Sequence, residues 1–166
     1  MSEIKYGRKF FEYDEIEYDE IDYYQIEIEM EDAANLYKFK KRSNIDNLRY
    51  QVICNNMPEN INDLDFLNFM NEIGYRKQSI NTSDFSSVDK IFVEKPAGEM
   101  MAAGCIAVFR DILIFKKNKL VTGIAKICFS CHKYQFAGTE AQTENFGSND
   151  DYSQLAGILY NTEINL

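Results

Sequence analysis

The densest group of reactive side chains in this 166-residue chain is Cys128-Phe129-Ser130-Cys131-His132. Thiols and an imidazole at this spacing are ligands for soft metals, nucleophiles or redox partners, and Cys105 lies close enough in the chain to join them. As a string, the segment matches C-x-x-C-H, the pattern for covalent attachment of a c-type haem. That reading fails on its surroundings, because residues 1–10 carry no apolar export segment and no Met- or His-bearing helix flanks the motif. Zinc held by Cys105, Cys128, Cys131 and His132 is the alternative, since C-x-x-C is half of many structural zinc sites. In an extended strand, however, Cys128 and Cys131 point to opposite faces, so chelation requires the strand to end in a turn at Phe129-Ser130. A thiol redox pair is disfavoured, because that motif ordinarily opens a helix whose dipole lowers the thiol pKa. Four cysteines are too few for a disulfide scaffold, and the expectation is reduced thiols, with Cys54 in the core.

Catalysis passes through one residue, because His132 is the only histidine and any His-dependent dyad or triad must use it. A Cys105/His132 pair would satisfy the strand geometry. The nucleophile elbow, the P-loop and the dinucleotide fingerprint are all absent from the sequence. The chain therefore reads as a non-enzymatic protein.

Its second chemical feature is charge. Residues 12–32 hold eleven carboxylates and no Lys, Arg or His, which leaves 16 acids against 18 basic residues in the rest of the chain. The net charge of −9 thus belongs to one segment on a body of about +2. Glu12-Tyr-Asp-Glu-Ile16 and Glu17-Tyr-Asp-Glu-Ile21 form an imperfect five-residue repeat that fits neither helix nor strand periodicity. Tyrosines interleaved with acids supply aromatic anchors among charges that speed and orient encounter. The expected docking residues are Tyr13, Glu17, Tyr18, Asp19, Glu20, Asp22 and Tyr23. The partner that fits them is a basic protein, and an acidic inhibitor of the immunity or antitoxin type, bound to a basic toxin or nuclease, is the function expected. Nucleic acid and anionic membranes are disfavoured as partners by the same charge. No segment approaches the ~18 apolar residues of a membrane span. With Met1 as the start, the expected location is the cytoplasm.

The elements that must position these residues follow from hydrophobic period. Tyr24, Ile26, Ile28 and Met30 alternate with polar residues and predict a half-buried strand; residues 31–42 read as a loop or short helix. Residues 47–54 and 88–94 read as further strands. Ile61, Leu64, Leu67, Met70 and Ile73 recur at helical spacing, with Gly74 as a left-handed stop. Residues 105–131 form a long hairpin around Lys116-Lys-Asn-Lys119, with Phe115 opposite Leu120 and both faces apolar. In that register Ile112 and Ile114 share a face with Ala125 and Ile127, while Asp111, Leu113 and Phe115 share the other with Ile124 and Lys126. Arg110 and Asp111 fall on opposite faces, each needing its own hydrogen-bond partners. A helix at about 150–160 closes the chain. The sum is one α+β domain over residues 1–166: an antiparallel sheet of about five strands covered by the helices at 61–73 and 150–160.

Overall fold

The computed structural model describes residues 7–12, 16–98, 104–148 and 150–161. Its centre is the expected hairpin, because β3 (Asp111–Lys117) and β4 (Leu120–Cys128) are the most continuously apolar runs in the chain. β1 (Glu20–Gln25), β2 (Arg76–Ser79) and β5 (Lys133–Ala137) complete a five-stranded sheet in the order β2-β1-β3-β4-β5, antiparallel at every pairing. The fold is α+β.

Helices cover both faces of the sheet. On one lie α4 (Phe85–Ile91) and α5 (Asp151–Asn161), with Phe10, Phe11, Ile21, Tyr23, Leu113, Phe115, Ala125 and Ile127 in a single apolar cluster. On the other lie α1 (Met30–Lys38), α2 (Asn44–Arg49) and α3 (Met70–Ile73), over Ile26, Ile28, Ile112, Ile114 and Ile124. A sheet buried on both faces accounts for strands that read as nearly uninterrupted hydrophobic runs.

The hairpin differs from expectation in its register. The turn is Asn118-Lys119, Lys116 pairs with Val121, and Phe115 pairs with Gly123, so Thr122 is an unpaired bulge residue. One inserted residue exchanges the two faces of everything beyond it. Ala125 and Ile127 therefore join Leu113 and Phe115, and Ile124 and Lys126 join Ile112 and Ile114, the reverse of the uniform ladder. Gly123 has a specific reason at this bulge: a Cβ there would stand 2.2 Å from the Phe11 ring, which stacks on Phe115 at 4.1 Å.

Two expected strands are helical. Ser43 caps α2 by accepting the Asp46 N–H at 3.2 Å, and the helix continues as a π-turn over Tyr50–Cys54 that buries Val52 and Ile53. Residues 88–91 belong to α4, where Val88 and Ile91, with Phe92 just past the helix end, take i, i+3, i+4 spacing toward the core, while Val93 makes a single antiparallel bridge with Lys9. The first strand also lies earlier than expected, ending at Gln25. In the 61–73 segment the apolar residues pack as expected and Gly74 is left-handed, but helix begins only at Asp65, as a 3₁₀ turn that runs into α3.

Candidate functional site

β1 is the middle of the acidic segment, and pairing on both sides decides what its acids can do. Its residues alternate between two faces that are both covered, so acids on either face can be drawn inward. Asp22 is one of these: it is buried, and its carboxylate pairs with the Lys116 ammonium at 2.5 Å and with that of Lys77 at 3.4 Å. Burial disfavours the charged form of Lys116, but the hydrogen bond and charge of Asp22 outweigh it and hold its pKa above the usual lysine value. Tyr23 lies wholly in the core, and its hydroxyl donates to Asp111. Tyr18 is buried too. Its hydroxyl donates to Asp89 at 2.6 Å, and burial, reinforced by that carboxylate, pushes its pKa well up.

The expected docking set is thereby divided. Tyr18, Asp22 and Tyr23 are structural, because each fills or braces the interior. Tyr13 lies outside the described residues. Glu17, Asp19 and Glu20 remain at the surface beside lysines that come from elsewhere in the chain. Glu17 meets Lys9 at 3.1 Å, Glu20 meets Lys119 at 3.2 Å, and Asp19 accepts the Asn118 N–H at 3.1 Å with Lys117 at 3.9 Å. The Lys116-Lys-Asn-Lys119 turn is thus the counter-charge of the acidic segment, which linear distance conceals.

The acids that stay most open were not singled out by sequence. Past the end of β1, Ile28 and Ala33 anchor the chain in the core, while Glu27, Glu29, Glu31 and Asp32 are exposed around Met30, itself 46% exposed. Glu27 has a long contact with Arg76, 3.9 Å, between two exposed side chains. The signal available in the sequence was the alternation of Ile26, Ile28 and Met30 with glutamates. It puts Glu27 and Glu29 outward as found, but Met30, expected on the inner face, is exposed, because the segment turns into α1 there instead of continuing as strand.

At the other end of the sheet, the cysteines do not assemble the zinc site that was the alternative reading. Cys105 and Cys131 are joined by a disulfide, with Cα atoms 6.0 Å apart, which corrects the expectation of free thiols and removes both sulfurs from a ligand set. Cys128 is a buried thiol whose sulfur accepts the Val108 N–H at 3.3 Å. His132 faces outward and stacks on Tyr152 at 4.4 Å. Among the described residues no group of three or more His, Cys, Asp or Glu side chains is arranged to hold a metal ion. Cys54 is remote from the other three, its thiol donating to the Ala33 carbonyl at 3.7 Å, and burial raises its pKa.

Arg110 and Asp111 both have structural work. Arg110 donates to the Ile28 carbonyl at 3.0 Å and ties β3 to the acidic segment, while Asp111 accepts from Tyr23 and, at 3.3 Å, from Tyr160 of α5. No described helix is long and apolar enough to cross a membrane. No protein-family model, curated protein or solved structure matches the chain.

Proposed function

We propose that the chain is a non-enzymatic binding protein, an acidic inhibitor of the immunity or antitoxin type that docks on a basic toxin or nuclease. The observation that carries the proposal is the exposed group Glu27, Glu29, Glu31 and Asp32 around an exposed Met30. The group spans the junction of β1 and α1, where Ile28 and Ala33 are buried beneath it. A concentrated field of one sign with an apolar centre suits fast, salt-sensitive capture of a basic surface. Glu17, Asp19 and Glu20, at the other end of β1, are set against lysines, and such exposed pairs contribute little and exchange partners readily.

The test is capture from host lysate at about 0.1 M salt, where charges act over about 10 Å. Wild-type chain should retain a basic protein that is identified by mass spectrometry and lost at high salt. The E27Q/E29Q/E31Q/D32N variant should retain far less. Equal retention by the variant, or capture of no basic protein, overturns the proposal.

A further inference from the structure

Three of the four cysteines meet where β4 ends. Cys128 is the last residue of the strand, and residues 129–132 turn the chain back toward β5, so Cys131 returns to the neighbourhood of Cys128 instead of pointing away from it. Cys128, Cys131 and Phe109 form one buried cluster, with Cys105 and Ala107 packed against it. The Ser130 hydroxyl lies 3.4 Å from the Cys128 sulfur and 4.0 Å from that of Cys131.

From this arrangement we propose that Cys105, Cys128 and Cys131 form a thiol–disulfide exchange site in which Cys131 is shared between two alternative partners. The Cys128 sulfur, as thiolate, attacks the Cys131 sulfur. The Cys128–Cys131 bond forms as the Cys105–Cys131 bond breaks, and the electron pair leaves on the Cys105 sulfur, which takes up the proton that Cys128 gave up. The step conserves one disulfide and one thiol and consumes no oxidant or reductant. The Val108 N–H, aimed at the Cys128 sulfur, is a donor to the thiolate from which the attack starts.

The two states present different surfaces. With Cys105 bound, the free thiol is Cys128, wholly buried. With Cys128 bound, the free thiol is Cys105, half-buried in a segment held to the β5 side by the Lys133 ammonium. That thiol is the one that can attack glutathione disulfide or a disulfide of another protein, forming a mixed disulfide as the second sulfur leaves as a thiol. A helix-opening C-x-x-C activates its first cysteine by the helix dipole, whereas here a turn supplies proximity and a third cysteine supplies the leaving group. Cys54, packed in the other core, is a bystander.

The experiment uses the full chain as wild type, C105S and C128S, each equilibrated in a glutathione redox buffer, quenched with acid, alkylated and mapped by mass spectrometry without reduction. Wild type should yield both Cys105–Cys131 and Cys128–Cys131 peptides, C105S only the second, and C128S only the first. Wild type carrying Cys105–Cys131 alone at every buffer ratio overturns the site, as does a folded C105S in which Cys128 and Cys131 both remain alkylated. Maleimide labelling of Cys105 in native protein adds a readout independent of how C105S folds. It should be at least about tenfold slower in C128S than in wild type, because only exchange frees that thiol. Equal rates overturn the proposal.

Discussion

At the scale of single residues, Tyr18 and Asp22 are members of an acidic tract that have become interior braces. Tyr18→Phe deletes one hydrogen bond to Asp89 and should lower stability by about 1 kcal/mol in urea unfolding. Asp22→Asn strips the buried partner from Lys116 and should cost about 3 kcal/mol, whereas Glu17→Gln, on an exposed pair, should cost under about 0.5. The same ordering should be absent from partner capture, where Glu27, Glu29, Glu31 and Asp32 matter and Tyr18 does not. Lys126 is the other buried charge. Its ammonium donates to the Asn55 and Met57 carbonyls, both at 2.8 Å, yet burial draws its pKa down to about 7. The unfolded chain then binds more protons than the folded chain between pH 7 and the ordinary lysine range near 10.4. Stability should therefore rise as pH is raised through that window, and the contribution should be missing from Lys126→Met. A wild-type and variant difference that is flat from pH 7 to 10 in melting experiments would refute the depressed pKa.

The element on which most positions depend is β4. Gly123 admits the Phe11 ring against the strand at the bulge, and Gly123→Ala should cost about 1–3 kcal/mol, because the ring is pinned against Phe115 and has nowhere to move. The bulge also explains what the sequence left illegible. Two apolar runs around a polar turn specify a hairpin, but both runs are apolar on both faces, so no hydrophobic pattern marks a slip of one residue. Residues 47–54 and 88–91 went to helix for a related reason. Short apolar stretches satisfy a period of 2 and a period of 3.6 together, and the deciding signals are a Ser43 cap for one and the Val88/Ile91/Phe92 spacing for the other. The acidic segment was half legible in the same way: alternation identified Glu27 and Glu29 as outward, but the burial of Tyr18, Asp22 and Tyr23 depended on what packs around β1.

For the molecule as a whole, the sheet divides two apolar cores, and the disulfide clips the segment before β3 to the β4–β5 turn across a separation of 26 residues. Cys131→Ser removes both linkages of the exchange site and should cost about 3 kcal/mol by loop entropy, read as a lower urea midpoint with an altered slope. By itself the sequence determined the α+β class, the central hairpin, the C-terminal helix and the location of the excess charge, because each rests on composition or on periodicity over many residues. Tertiary structure alone decided which carboxylates face lysines, which tyrosines are buried and which cysteines meet. Those outcomes depend on pairings between residues as much as 99 positions apart, as for Asp19 with Asn118 and Glu20 with Lys119, and such pairings leave no local pattern in the chain.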